Sequence, residues 1–131
     1  MVLSIQNVTK SFPGADGPVP VLRGIDLALA SGETLALTGE SGSGKSTLLH
    51  LVGGLDSVDG GTIEVDGKDL AQMDDASRAA MRRSDVGVVF QQFNLIPSLT
   101  VAANISFQAR LSGVVDEARI AELTEALGLT P

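Results

Sequence analysis

The stretch GESGSGKST, residues 39–47, decides the fold of this chain. It matches the pattern GxxxxGK[ST], in which successive backbone N–H groups turn inward around a phosphate. Such a loop needs backbone angles that only glycine adopts readily, and Gly42 and Gly44 can supply them. The pattern assigns Lys45 to the β- and γ-phosphates and the Ser46 hydroxyl to Mg²⁺. We therefore predict that ATP and Mg²⁺ bind through this loop, at Gly39, Glu40, Ser41, Gly42, Ser43, Gly44, Lys45, Ser46 and Thr47.

The segments on either side of this loop have the character that a phosphate-binding P-loop requires. Residues 34–38 (TLALT) are largely apolar, which predicts a strand buried on both faces. Residues 45–52 (KSTLLHLV) predict a helix that ends at Gly53, and its N-terminal dipole would face the phosphates. The order strand, loop, helix predicts a mixed α/β fold.

The rest of the chain reads as strands on the N-terminal side and mostly helices on the C-terminal side. Runs of alternating or apolar residues predict further strands at 2–8, 21–29, 62–65 and 86–90. The pair Asp66-Gly67 predicts a tight turn. Helices are predicted over 75–83, after an N-cap at Thr100, and after an N-cap at Asp116 with Ile120, Leu123 and Leu127 on one face. Loops are predicted at 13–20 and 91–99.

Composition excludes several classes of protein. The chain has 131 residues, 44% of them hydrophobic, which suits one ordinary domain with a core. It has no cysteine, so disulfides and thiolate metal sites are excluded. The net charge of −7 argues against a nucleic-acid partner, which needs a basic surface. We see neither a signal peptide nor an apolar run long enough to span a membrane.

Two stretches resemble the ATPase domain of ATP-binding cassette (ABC) transporters. GESGSGKSTLLHLVGGLD at 39–56 is similar to that family's P-loop and helix, and VGVVFQQFNLIPSLTVAANI at 86–105 to its Q-loop segment. GGLD and FQQFNLIPSLT most resemble the subfamily for lipoprotein release and macrolide export, which pairs with FtsX-like permeases. The resemblance implies that residues 1–131 are the N-terminal portion of the domain. That portion comprises an antiparallel β subdomain, an incomplete RecA-like core and the start of a helical subdomain.

The resemblance also implies roles for two residues outside the P-loop. Gln91 matches the Q-loop glutamine, which in the family contacts Mg²⁺ and the attacking water and, with Lys45, belongs to the catalytic set. Gln92 is the weaker candidate, and both could instead be surface amides. Phe12 stands where the family places an aromatic ring that stacks on adenine, with core packing as the alternative.

Other family motifs are absent from these residues. The signature, the Walker B aspartate with its catalytic glutamate, the D-loop and the switch histidine have no match, and LSG at 111–113 reads as a loop between helices. His50 lies inside the helix after the P-loop, so we expect a structural or surface role. Arg82 and Arg83 are expected on a solvated helix end. Ala103 replaces a glutamate common in the family and removes a capping box. We expect this chain alone to bind ATP but to be deficient in hydrolysis.

As a whole, the resemblance implies an ATPase that couples ATP hydrolysis to transport through a separate FtsX-like membrane permease. The full-length protein is expected to form a head-to-tail homodimer, cytoplasmic and peripheral on the cytoplasmic face of the cell membrane. The apolar loop at 91–99 is expected to dock the permease, unless it folds inward onto the following helices. A soluble, non-transport ABC ATPase and an unrelated P-loop kinase remain as alternatives.

Overall fold

An antiparallel four-stranded sheet organises the N-terminal part of the protein. The computed structural model describes residues 1–131 and divides into two units, Met1–Arg82 and Arg83–Pro131, each described by itself. The sheet belongs to the first unit and has the order β2-β1-β3-β4. Its strands are β1 (Leu3–Phe12), β2 (Val19–Leu29), β3 (Gly60–Val65) and β4 (Lys68–Asp69). Helix α1 (Lys45–Val52) follows the P-loop, and α2 (Asp75–Ser84) follows a short 3₁₀ turn at Leu70–Gln72.

The hydrophobic core combines side chains of β1, β2, β3, α1, the 3₁₀ turn and α2. Alternation along β2 leaves Ile25, Leu27 and Leu29 half-buried and turns Asp26 and Ala28 to solvent, as the period of two predicts. Nine hydrophobic side chains are buried, and every one precedes residue 83: Ile5, Val8, Leu22, Leu48, Leu51, Ile63, Val65, Leu70 and Met81.

The hairpin between β3 and β4 confirms the predicted turn. Val65 pairs with Lys68, so Asp66 and Gly67 form a two-residue loop. Both adopt left-handed backbone angles, with φ of 51° and 77°. That combination matches the right-handed twist of the flanking strands, which is why Asp-Gly is favoured here.

The second unit consists of a loop followed by two helices, α3 (Val101–Ser112) and α4 (Glu117–Ala126). Both predicted caps are present, because the Thr100 side chain accepts a hydrogen bond from the Ala103 N–H and the Asp116 side chain from the Arg119 N–H. Helix α3 therefore starts as expected without a glutamate at Ala103. It ends at a left-handed Gly113, so LSG forms the last turn and its C-cap.

Two predicted strands do not form. Residues 34–38 and 86–90 have no regular secondary structure, and both carry exposed apolar side chains, with Val89 99% exposed. The prediction was wrong for this chain because a buried strand requires neighbours, and neither segment is paired with another strand. The apolar face of α4 is similarly uncovered, and none of its residues is buried. No helix combines the length and apolar character that crossing a membrane demands.

A close approach between β1 and β3 depends on Gly61. Strand β1 is irregular around Asn7, which has φ of 47° and donates its N–H to Asp26 Oδ1 at 2.8 Å. Gly61, with φ of 80°, lies against this irregularity, and a Cβ on it would collide with the backbone of Gln6 and Asn7. Both the backbone angle and the space at this position therefore require glycine.

We expect Gly61→Ala to destabilise the protein by about 2–4 kcal/mol, because it adds a backbone collision to the strain of a left-handed alanine. Gly67→Ala is the matched control, since Gly67 has a similar φ of 77° but open space around it. The control should lose only about 1 kcal/mol. Urea unfolding followed by circular dichroism measures both, and equal losses would contradict the collision.

Candidate functional site: the P-loop

The P-loop adopts the backbone conformation that its glycines predict. Gly42 and Gly44 both lie in the left-handed region, with φ of 82° and 97°. A Cβ on Gly44 would also come within 2.9 Å of Leu22 Cδ2 and 3.1 Å of Val21 Cγ1. Gly44 is thus required twice, once by its backbone angle and once by its contact with β2, and this contact sets the P-loop against the sheet.

Helix α1 begins directly after Gly44 and has no side-chain cap at its N-terminus. No acidic residue occupies its first turn. The N–H groups of an uncapped first turn have no partner within the helix, and the helix dipole adds partial positive charge there. Such an end is suited to an anion, and the loop in front of it is the P-loop.

The Lys45 ammonium is folded into the loop. Its Nζ donates to the carbonyl oxygens of Gly39 and Glu40, at 2.7 and 2.6 Å, and to Ser43 Oγ at 3.1 Å. A lysine ammonium has three donors, so these contacts use all of them. The loop thereby holds one positive charge at the helix N-terminus, and Ser46, beside it, is exposed. Sequence reasoning did not anticipate that Ser43 helps to hold the lysine.

The turn after α1 is hydrogen-bonded to helix α2 through Arg82. Arg82 Nη1 donates to the Gly54 carbonyl at 2.7 Å, and Arg82 is half-buried. The expectation of a solvated Arg82 was therefore wrong, because the Gly54 carbonyl, in the turn after α1, accepts its hydrogen bond. Arg83 and His50 are exposed, as expected.

Asp56, in the same turn, lies beside a buried lysine of β1. Lys10 Nζ donates to Asp56 Oδ1 at 3.3 Å. The Ser57 N–H, which donates to Asp56 Oδ1 at 2.8 Å, lowers the pKa of Asp56, and the contacts with Lys10 lower it further against the opposing effect of burial. The carboxylate therefore stays ionised at neutral pH.

Phe12 ends β1 in the same unit as the P-loop. Its ring is 37% exposed, so it is not a core residue, and the Lys10 ammonium lies 5.4 Å from the ring centroid. That distance is within the range of a cation–π contact. Phe12 is therefore not packed in the core, which was the alternative to stacking on adenine.

Gln91 lies in the second unit, at a bend in the loop after residues 86–90. Both Gln91 and Gln92 are exposed. Farther along the loop, Phe93 is 93% exposed and Leu95 65% exposed, while Ile96 is half-buried. The alternative in which all these apolar groups fold inward is therefore wrong for Phe93 and Leu95. A patch of apolar surface on a loop remains, and patches of this kind mark interaction sites.

Asn104, on α3, organises this loop and was missed at the level of the sequence. Its Oδ1 accepts from the Ile96 N–H at 2.9 Å, and its Nδ2 lies within hydrogen-bond distance of the carbonyls of Ile96, Leu99 and Thr100, at 3.2, 3.3 and 3.0 Å. One amide thus bridges both sides of the Pro97 turn. The available signal was an asparagine one helical turn after the N-cap Thr100, where it can reach back to the preceding loop.

The chain contains no cluster of three or more His, Cys, Asp or Glu side chains able to hold a metal ion. In the P-loop unit, the exposed Ser46 hydroxyl is a single oxygen donor that a divalent cation could use. This suits Mg²⁺, which is usually bound by one or two protein ligands together with substrate phosphates.

Comparison with known proteins places this P-loop in a family. The sequence profile described as "ABC transporter" matches residues 22–131. The chain belongs to the ABC transporter family. Membership excludes the unrelated P-loop kinase and confirms the fold class inferred from the two motif stretches.

Relatives with curated names support the resemblance to the lipoprotein-release and macrolide-export group of the family. The chain is 40% identical to "Lipoprotein-releasing system ATP-binding protein LolD 1" of Rhodopirellula baltica, over 98% of this chain and 58% of that protein. It is also 40% identical to "Macrolide export ATP-binding/permease protein MacB" of Shigella flexneri, over 98% of this chain and 20% of that protein.

A solved structure of the family has the same fold. The dimeric ATP-binding cassette MJ0796, bound to ADP and Pi in a post-hydrolysis state, aligns with a TM-score of 0.83 at 33% identity. The alignment covers 92% of this chain and 53% of that one. The chain thus spans between half and three-fifths of the length of LolD 1 and this cassette.

We expect Asn104→Ala to loosen the loop, because the Ile96 N–H and the Leu99 carbonyl would lose their side-chain partner, while the carbonyls of Ile96 and Thr100 would keep only their backbone donors. Exchange of the Ile96 amide hydrogen should accelerate by about tenfold or more, as the loss of a hydrogen bond worth roughly 1–2 kcal/mol implies. Asn104→Asp keeps the acceptor for Ile96 but removes the Nδ2 donors, so it should have an intermediate effect on this amide.

The control is Gln108→Ala, an exposed position on the same helix. Native-state hydrogen exchange read by mass spectrometry or NMR distinguishes the variants. An unchanged Ile96 rate in Asn104→Ala would show that the loop holds its shape without the amide.

Proposed function

We propose that this chain is the P-loop portion of an ATPase subunit of an ABC transporter, and that it binds ATP with Mg²⁺. The observation that carries the proposal is the arrangement at the start of α1. Two left-handed glycines, an uncapped helix N-terminus and the Lys45 ammonium converge there. Each of these features is suited to an anion, and together they fit a triphosphate.

The chain's own groups divide the work of binding. The first-turn N–H groups of α1 and the loop N–H groups hold phosphate oxygens in place. Lys45 exchanges at least one of its present contacts, to Gly39, Glu40 or Ser43, for a β- or γ-phosphate oxygen. Ser46 offers its hydroxyl to Mg²⁺, and Gln91 is the second proposed ligand. Bound Mg²⁺ neutralises charge on the β- and γ-phosphate oxygens during phosphoryl transfer.

Phe12 completes the nucleotide site in this proposal. Phe12 is the last residue of β1, and β1 pairs with β2. Strand β2 contacts Gly44 of the P-loop through Val21 and Leu22. Phe12 therefore lies on the strand next to the one that supports the P-loop. Stacking of adenine on such a ring contributes about 1 kcal/mol and tolerates the exchange of phenylalanine for tyrosine.

Hydrolysis belongs to the full-length protein in this proposal. In-line attack on the γ-phosphate needs an oriented water and a group that accepts its proton. Gln91 is neutral and can orient water but cannot serve as an effective base, and no residue of the chain matches the catalytic glutamate. We propose that the full-length protein supplies the base and the signature, and that two copies pair head to tail. The dimeric state of the MJ0796 cassette supports the pairing of two copies.

The proposed partner is an FtsX-like permease, with the ATPase peripheral on the cytoplasmic face of the membrane. The macrolide-export relative is named an ATP-binding/permease protein, and this supports a permease as the partner. The docking surface is the apolar loop that contains Phe93 and Leu95, which Asn104 holds in shape.

We expect Lys45→Ala to weaken ATP binding by about tenfold to a hundredfold, because charge-assisted hydrogen bonds contribute roughly 1.5–3 kcal/mol. Isothermal titration with Mg-ATP measures this. Lys68→Ala is the control, since Lys68 is an exposed lysine on the β3–β4 hairpin and the two substitutions change net charge equally.

Equal affinities in the wild type and Lys45→Ala would contradict the P-loop assignment. Phosphate release followed in the same samples should stay at background, since the chain has no match to the catalytic glutamate. Turnover near 1 per second that disappears in Lys45→Ala would refute the proposed absence of a base.

We expect a photoreactive residue at position 95 of the full-length protein to crosslink to the permease in membranes, because Leu95 projects from the proposed docking loop. The same group at position 125, exposed on α4, is the control. Labelling confined to the ATPase from position 95 would show that the loop is covered by its own protein.

A further inference from the structure

A buried cation lies on the same strand as Phe12. Lys10 is only 8% exposed, although lysine is rarely buried without partners. Val8, Lys10 and Phe12 follow one another at a spacing of two on β1, and their exposure rises from 0% to 8% to 37%. Exposure therefore rises from the core toward the C-terminal end of the strand, and Lys10 lies between the buried Val8 and the exposed Phe12.

Three oxygen atoms of one loop surround the Lys10 ammonium. Nζ donates to the Ser57 carbonyl at 2.7 Å and to Asp56 Oδ1 at 3.3 Å, and Asp59 Oδ1 lies 3.8 Å away. A buried ammonium needs such compensation, because removal from water disfavours the charge. Exposure to solvent does not explain why a lysine occupies this position, because Lys10 is buried.

The same loop is tied to the backbone of β1. Asp59 Oδ2 accepts from the Ser11 N–H at 2.6 Å, and the Asp59 N–H donates to the Thr9 carbonyl at 3.0 Å. This loop directly follows α1, whose other end is the P-loop. The contacts therefore connect the end of the phosphate-binding helix to the strand residues on either side of Lys10.

The ammonium lies 5.4 Å from the centroid of the Phe12 ring. A cation on one ring face attracts the π electrons and holds the ring there. The opposite face is then left for a stacking partner, and polarisation by the cation favours an electron-rich ring such as adenine. Phe12 is 37% exposed, as expected if Lys10 covers one face of the ring and solvent reaches the other.

We propose that Lys10, held by Asp56 and Asp59, is a positioning residue that orients the Phe12 ring for adenine and sets the spacing between the adenine and phosphate subsites. The proposal rests on the proposed function, because it requires Phe12 to stack on the base. Lys10 itself does not touch the nucleotide. Its effect should therefore appear in recognition of the base and be absent from recognition of the phosphates.

The test compares ATP with inorganic tripolyphosphate, each with Mg²⁺, on the 131-residue chain. Lys10→Met keeps the length of the side chain and removes the charge, and Lys10→Arg keeps a cation able to contact a ring. We expect Lys10→Met to weaken ATP binding by about three- to tenfold and to leave tripolyphosphate affinity unchanged. Lys10→Arg should retain most of the preference for ATP. Lys68→Met is the charge-matched control, and it should change neither affinity.

A spectroscopic readout is available because the chain has neither tryptophan nor tyrosine. Phe12→Trp introduces a single fluorophore at the proposed stacking position. Saturating ATP should quench it and tripolyphosphate should not, and adding Lys10→Met should reduce the quenching at saturation. Asp59→Asn, which alters the support without touching the ring, should reduce it in the same direction.

The outcomes separate the two proposals. If Phe12→Ala leaves the preference for ATP over tripolyphosphate unchanged, adenine stacking itself is refuted. If Phe12→Ala abolishes that preference while Lys10→Met preserves it, with undiminished quenching in the tryptophan background, the positioning role of Lys10 is overturned and the stacking remains. Equal losses of ATP and tripolyphosphate affinity in Lys10→Met would also overturn the role, because they would indicate general damage to the fold. Thermal unfolding of each variant confirms that folded protein is being compared.

Discussion

The uncapped start of α1 is the constraint on which the rest of the site depends. A helix can begin at Lys45 with free N–H groups only because Gly44, at φ of 97°, reverses the chain against β2. Any side chain at Gly44 would meet Leu22 and Val21. The sheet therefore fixes the loop, the loop fixes the first turn of the helix, and the first turn presents unpaired N–H groups suited to an anion.

Ion pairs of Lys10 connect the end of β1 that carries Phe12 to the loop after that helix. The Lys10 ammonium contacts the loop that follows α1, and Asp59 of that loop accepts a hydrogen bond from the Ser11 N–H of β1. Only the lysine of this ion pair is buried, and the pair contributes little net stability, since water screens the exposed carboxylates and desolvation of the ammonium offsets part of the attraction. Its value lies in geometry, because it admits few arrangements of the strand end relative to the helix. Hydrophobic packing alone would specify that relation less sharply.

The second unit has the opposite character. None of its hydrophobic residues is fully buried, and the loop before α3 keeps its shape through polar contacts to a single side chain, Asn104. Apolar groups at Phe93, Leu95 and along α4 are left uncovered. In a family whose members match this chain over only part of their length, such surface is suited to contact with further protein.

Much of the molecule could be predicted from the sequence by local rules. The P-loop, the Asp66-Gly67 hairpin, and the caps at Thr100 and Asp116 all depend on neighbours within a few residues, so a short stretch specifies them. The strands predicted at 34–38 and 86–90 failed because a strand needs distant partners, and no strand pairs with them. Tertiary structure alone decided that the loop after α1 surrounds the Lys10 ammonium, that Arg82 binds the turn after α1, and that Asn104 organises the loop before α3. Each of these contacts joins residues on different elements or across a turn, and periodicity carries no information about such distances.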